Sequence, residues 1–536
     1  MIHDNLLLIL SLLFAVFMLV MLAQKLKISY PIFLVIGGLL IGLIPGIPNI
    51  SIDPQLIFLI FLPPLLYEAA WFTSWHEFWK WKRAIGMLAF GLVIFTSVIV
   101  ALVSSAMIPG FTLAMGFLLG GIISPPDAVA ATSVLKGVKV PRRVITILEG
   151  ESLINDASSL VVFRFAVAAV VSGTFVLETA LVDFFLVTVM GIVIGLAVAH
   201  IVYVIHRFFP TTPSIDAALT IMTPYVMYVS AEHFHYSGVM AVVSGGLFLS
   251  FRSNEIFNHK SRIQAYGFWK TLIFILNGLV FILIGLQLPV IVAGLEGYSI
   301  TEAIKYGLII SVITILIRFI WMYPAAFIPR YLSKKIRTHE ANPGWKTPLI
   351  VSWAGMRGVV SLASALSIPL LASGNNPFPH RNLILFITFI VIFITLVIQG
   401  LSLPLLIRLL KLEEIDGEIS EAEQETGINV YLKKAALKRL NEKYKVECTD
   451  NELIDNMKKQ LESDIGLSVQ KLESLKCDDF EEQEVELMNE VVRDLIAIQR
   501  KELFILRKKN LFTDEVLRKQ EAQLDLDEAK ISPLSD

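Results

Sequence analysis

Up to about residue 410 the chain alternates long apolar runs with short polar connections. A hydrocarbon core of about 30 Å is crossed by roughly 17–25 apolar residues at about 1.5 Å per residue. Runs of that length predict helical spans near 6–23, 29–45, 54–71, 84–108, 111–135, 144–171, 179–205, 214–232, 236–251, 267–289, 300–329, 347–371 and 382–410, thirteen in all. Beyond Leu410 the pattern changes to "KLEEIDGEISEAEQETG" and the apolar runs stop. In that tail Thr449 and Glu452 have the spacing of a capping box, and "EVELMNEVVRDLIAIQRKELFILRKKNLF" keeps an amphipathic helical period. The pattern predicts an all-α membrane domain over residues 1–411 and a small acidic helical domain over 412–536.

Composition agrees, with 55% hydrophobic and 17% charged residues against an apolar share of roughly 45–50% in soluble domains. The basic residues set the orientation. Lys25 and Lys27, then Lys80, Lys82 and Arg83, then Lys136, Lys139, Arg142 and Arg143, then Arg207, fall on alternate connections. Arg252, Lys260, Arg262 and Lys270, and finally Arg330, Lys334, Lys335, Arg337 and Lys346, continue the alternation. The intervening "IPGIPNISID", "SGTFVLET" and "GLEGYS" are nearly free of basic residues, with Lys305 and Arg381 as exceptions. The positive-inside rule then places the N-terminus outside and the tail in the cytoplasm. "MIHDN" lacks a positive n-region, so the first run is expected to be a spanning helix rather than a cleaved signal.

The net charge of -2 gives no sign of a nucleic-acid partner, and the tail carries an acidic excess of roughly ten charges. Cys448 and Cys477, the only cysteines, suggest neither a disulfide framework nor a zinc site. No Walker motif or phosphate-cradling glycine loop is present, so neither ATP-driven transport nor a cofactor is indicated.

Function-bearing residues are the polar ones inside apolar spans. Ser152, Asn155, Asp156 and Ser159 stand at i, i+3, i+4 and i+7, a single helix face that must meet protein or water rather than lipid. Arg164, a further intramembrane charge, lies eight residues on, about 12 Å along the axis, too far to neutralise Asp156. In "GGIISPPDAVAATSV" Pro125 and Pro126 remove backbone donors beside Asp127, which predicts a broken span. "PLIVSWAGMRGVVSLASALSIP" is a second punctuated span, with Gly355 and Gly358 around Arg357. Paired interruptions in the two halves point to an inverted-repeat transporter whose site lies where the breaks meet. Blander readings stand beside these: Asp127 as a helix cap, Glu68 in "YEAAWF" as an end-of-span carboxylate, Asn155 as interhelical glue. His200, His206, His233 and His235 sit near span ends and read as interfacial.

"SPPDAVAA", "GESLINDA", "FLPPLLYEAA", "LNGLVFILIGLQLP" and "WAGMRGVVSLA" resemble, in order across residues 6–410, the monovalent cation/proton antiporter family of the first type. This family contains the bacterial sodium/proton antiporters related to animal sodium/hydrogen exchangers. The resemblance implies about thirteen transmembrane helices in two inverted six-helix repeats, a core bundle with broken helices crossing at the ion site, and a homodimer in the plasma membrane. It implies that Asp156 carries the ion and the proton, that Asn155 stands where relatives of the second type carry another Asp, and that Asp127 sits at the crossing. It further implies Na+ ligation by Asp156, Ser152, Glu68 and the carbonyl of Pro126, and an ion pair of Glu151 with Arg357. Pro126 departs from the Thr or Val of many relatives, so no side-chain hydroxyl is available there.

The expected activity is exchange of Na+, with K+ or Li+ as further candidates, for H+, serving pH and sodium homeostasis. With Asn155 neutral, the expectation is one-for-one, electroneutral turnover. Readings from other classes are an intramembrane aspartyl protease using Asp127 and Asp156, and a cation channel. Against the protease, "LIND" lacks the Gly-x-Gly-Asp setting of such enzymes.

Overall fold

A computed structural model of the protein describes residues 2–44, 54–135, 138, 140–173, 177–295, 297–339, 342–372, 377–410, 421–445, 448, 451–476, 482–508 and 514–529. Lys136, Lys139, Thr449, Cys477 and the expected boundary at 411/412 lie outside them. The chain divides into two compact units, Met1–Asp416 and Gly417–Asp536. Each is helical among the described residues, apart from one isolated bridge between Leu371 and Pro377.

The first unit begins with α1 (Ile2–Leu26), α2 (Tyr30–Gly42), α3 (Pro54–Phe72) and α4 (Trp75–Gly86). A π-helical segment, Met87–Leu92, leads into α5 (Val93–Met107). Next come α6 (Leu113–Ile123), α7 (Ala128–Leu135), α8 (Arg142–Ser172), α9 (Leu177–Phe208), α10 (Pro213–His233) and α11 (Gly238–Phe251). The series continues with α12 (Ser253–Ile256), α13 (His259–Leu286), α14 (Leu288–Ala293), α15 (Ile300–Leu332) and α16 (Lys334–His339). It closes with α17 (Lys346–Trp353), α18 (Val359–Leu366), α19 (Arg381–Ile394), a second π segment (Thr395–Gln399) and α20 (Gly400–Leu410).

By length and composition, eight described helices can cross a membrane, and Tyr30–Gly42, Phe58–Phe72 and Gly238–Phe251 form a shorter apolar group. The expected spans at 214–232 and 347–371 fall in neither group. The first is α10, whose opening turn carries Asp216; the second is broken into α17 and α18. The expected count of thirteen is thus not reached by length and hydropathy alone.

Close approach of helices replaces water exclusion as the source of cohesion in lipid. α2 and α13 meet at glycines: a Cβ on Gly38 would stand 2.3 Å from the carbonyl oxygen of Ile282, and one on Gly285 2.3 Å from that of Val35. α8 packs against α6, and α5 against α6. The first π segment frees carbonyls from the regular ladder, and two are taken up by neighbours. Trp321 Nε1 donates to Met87 O at 3.1 Å, and Ser158 Oγ to Ala89 O at 2.5 Å.

In the second unit, α21 (Glu421–Lys443) packs on α22 (Glu452–Lys476), and α23 (Glu482–Lys508) on α24 (Asp514–Ala529). Arg500 reaches Asp525 at 2.6 Å. Cys448 is a free, buried thiol.

Candidate functional site

Two breaks meet inside the first unit. α6 ends at Ile123 and α7 begins at Ala128; α17 ends at Trp353 and α18 begins at Val359. Asp127 N–H donates to Met356 O at 2.7 Å, joining the two breaks directly. Asp127 Oδ1 accepts from the N–H groups of Val129 (2.9 Å) and Ala130 (3.3 Å), and Oδ2 from that of Val359 (3.4 Å). One carboxylate therefore caps the N-termini of both half-helices, where the backbone is electropositive.

Arg357 does the complementary work. Its Nε donates to Ile123 O at 3.1 Å, at the end of α6, and Nη1 donates to Gly355 O, just past the end of α17. Its own N–H is held by Thr395 Oγ1 of the second π segment at 3.1 Å. Acid at two positive helix ends and base at two negative ones satisfy the groups that a break exposes.

The expected Glu151–Arg357 ion pair is not formed. Glu151 is gripped in bidentate fashion by Arg318 of α15, Nη1 to Oε1 at 2.6 Å and Nη2 to Oε2 at 2.7 Å, with both side chains buried. The reason is competition: the carbonyls of the breaks occupy the Arg357 guanidinium, while Arg318 presents a planar fork that matches a carboxylate. Arg318 escaped the sequence reading, although a lone Arg in "VITILIRFIWM" carries the signal that singled out Arg164. Arg164 itself pairs with Glu232 of α10 at 2.5 Å. His206, in the last turn of α9, is buried, with Nδ1 at 2.9 Å from Asp216 Oδ1.

α8 carries the acidic stripe past the crossing. Asn155, fully buried, donates from Nδ2 to Pro126 O at 3.3 Å, and its Oδ1 has no partner. Ser152 Oγ accepts from Ala128 N–H at 3.3 Å. Asp156 is only 7% exposed, and among the described residues its carboxylate accepts no hydrogen bond. It lies on the wall of a cavity of about 420 Å3, together with Glu68 of α3, Asp127, Pro126 and Ser152. The same cavity is lined by Tyr30, Glu149, Lys270, Asn277 and Ser361, none of which the sequence pattern marked as site residues. Of the expected site residues, only Asn155, Glu151, Arg357 and Arg164 do not line it.

Crossed broken helices beside a carboxylate without a protein partner, inside an apolar helical unit, define a secondary transporter of the membrane. Residues 10–409 match the family model described as "Sodium/hydrogen exchanger, transmembrane", and the chain belongs to that family. It is 34% identical over 388 residues to the sodium, potassium, lithium and rubidium/H(+) antiporter of Bacillus pumilus, covering 71% of this chain and 58% of that protein. Over 422 residues it is 32% identical to the Na(+)/H(+) antiporter ApNhaP of Aphanothece halophytica, covering 77% and 75% of the two chains. The solved structure of the sodium proton antiporter MjNhaP1 from Methanocaldococcus jannaschii shares the fold, with a TM-score of 0.60 and 21% identity over 78% of this chain and 100% of that one. The protein is a multi-pass sodium/proton antiporter and not an enzyme. The protease reading is not favoured, because the family and the relatives the chain resembles are antiporters.

Proposed function

We propose that the protein exchanges one Na+ for one H+ at Asp156, in the plasma membrane, with its N-terminus outside and its tail in the cytoplasm. The observation that carries this reading is the Asp156 carboxylate, nearly buried, without a hydrogen-bond partner and on a cavity wall. Such a group is neutralised by either a proton or a cation, and the two compete because one charge cannot satisfy both. Ser152, Glu68 and the Pro126 carbonyl are the oxygens that complete a cation's shell, and Asn155 holds that carbonyl through Nδ2. Asp127 serves by holding the crossing together, and the Glu151–Arg318 pair by tying α8 to α15. The transported ions are substrates, and no cofactor is required. K+ and Li+ are further candidate substrates, in keeping with the sodium, potassium, lithium and rubidium/H(+) antiporter of Bacillus pumilus.

Asn155 is neutral, so the carboxylate trades one positive charge for another and turnover is electroneutral. A membrane potential, worth about 2.3 kcal/mol per charge per 100 mV, then neither drives nor opposes exchange. The protein works as a homodimer in pH and sodium homeostasis, as the family resemblance implies. The test is exchange in proteoliposomes. Asp156→Asn abolishes Na+-driven proton movement while the variant remains folded by size-exclusion chromatography, and the wild-type rate is indifferent to a clamped potential. Transport that survives in the Asn variant would move the site elsewhere.

A further inference from the structure

Two helices line the cavity with the same spacing. α8 contributes Glu149, Ser152, Leu153 and Asp156, and α13 contributes Lys270, Ile273, Phe274 and Asn277, each set at i, i+3, i+4 and i+7. The outer member of each set is exposed and charged, Glu149 on α8 and Lys270 on α13. The inner member, seven residues or about 10 Å deeper, is nearly buried: Asp156 at 7% and Asn277 at 3%. Glu68, half-buried on α3, stands on the same wall system, and among the described residues neither Glu149 nor Lys270 forms an ion pair. Polar atoms deeper in the lining, Asn277 Oδ1 and Ser361 Oγ, are buried without a partner. The space between rim and floor thus has polar groups in its walls that protein atoms do not satisfy.

We propose that Glu149 and Lys270 form an opposed pair of rim charges that sets the cation concentration at the mouth of the Asp156 cavity, Glu149 raising it and Lys270 lowering it. The proposal rests on the reading of Asp156 as the exchange site. A cleft with low-dielectric walls focuses the field of its rim charges, so a cation meets them before it reaches the floor. Neither residue touches the cation in its final position. Their effect therefore appears in the apparent KM for Na+ and not in the maximal rate. Coulomb's law for unit charges about 10 Å apart brackets each change at about twofold in bulk water and about tenfold at an intermediate dielectric.

The experiment uses the full chain in proteoliposomes, with Na+ added to the face on which the cavity opens. Expected results are a KM raised about two- to tenfold in Glu149→Gln, lowered by a similar factor in Lys270→Gln, and close to wild type in the double variant. Glu149→Asp, which keeps the charge, restores the wild-type KM. Choline chloride at about 1 M, where the screening length is about 3 Å, erases the differences. Shifts of the same sign, shifts that persist at high salt, or an unchanged KM in both variants overturn the proposal. Loss of maximal rate in Glu149→Gln with normal folding overturns it too, because the residue would then belong to the exchange step. Asp156→Asn run alongside separates the two readings: if it is inactive while the rim variants leave KM unchanged, only the rim proposal fails.

Discussion

The buried pair between Glu151 and Arg318 lends itself to a double-mutant cycle. Both side chains are at most 1% exposed and joined by two hydrogen bonds of 2.6 and 2.7 Å, so removal of either leaves the other's charge buried without its bidentate partner. Breaking such a pair costs about 3–5 kcal/mol, whereas replacing both partners by neutral groups of similar volume is about neutral. At an effective dielectric near 20, Coulomb's law at about 4 Å gives a similar figure of about 4 kcal/mol for the lost attraction. Glu151→Gln and Arg318→Met are each expected to lower unfolding free energy in detergent by about 3–5 kcal/mol, and the double variant to recover most of the loss. The coupling energy between positions 151 and 318 is then at least about 2 kcal/mol and larger than that between 151 and 357, since Arg357 is hydrogen-bonded to carbonyls and not to Glu151. Denaturant titrations followed by tryptophan fluorescence measure all of these. A coupling that falls on Arg357 instead of Arg318 would refute the assignment, and a double variant as unstable as the sum of the singles would refute the pairing.

The crossing gives a steric prediction. A Cβ on Gly358 would lie 1.8 Å from Asp127 Oδ2, so Gly358→Ala forces the two breaks apart and is expected to cost about 2–5 kcal/mol of stability and most of the exchange rate. A variant with wild-type melting temperature and turnover would show that the contact is dispensable. On the connection before α13, the Glu255 carboxyl lies below the usual carboxylate range because the Tyr203 hydroxyl donates to it, with Arg252 and Arg207 alongside. A depressed folded-state pKa adds stability above the unfolded value that is lost as pH falls through the folded one. Glu255→Gln should therefore lower the melting temperature slightly at neutral pH, with the difference from wild type vanishing as pH falls through the folded-state pKa; a variant that matched wild type at neutral pH and differed only in acid would contradict it.

Much of the architecture was legible because a chain in lipid must satisfy its backbone within each segment, so span, period and polar stripe are local properties. The face carrying Ser152, Asn155 and Asp156, the break at Pro125 and Pro126, and the punctuation around Arg357 can all be read from short windows. Length and hydropathy applied to the described helices pick out fewer than the thirteen expected runs, because α10 carries Asp216 in its first turn and the 347–371 run breaks in two. Glu149 and Lys270 gave no sign of lining a cavity, since a charge near a span end is normally only a solvated end, and Lys270 entered only as one of the basic residues that orient the chain.

Tertiary structure decided the rest. Pro63 and Pro64 sit inside the continuous helix α3, whereas Pro125 and Pro126 end one, so the dipeptide alone does not determine a break. What differs is that the groups exposed at the second site find partners far along the chain, Met356 O for Asp127 N–H and the Arg357 side chain for Ile123 O. Arg318 likewise reaches Glu151 across 167 residues. Hydrophobic periodicity reports which face of a segment avoids lipid, but the choice among several arginines for one carboxylate depends on reach and on which guanidinium is already engaged, and those are set only when the helices pack.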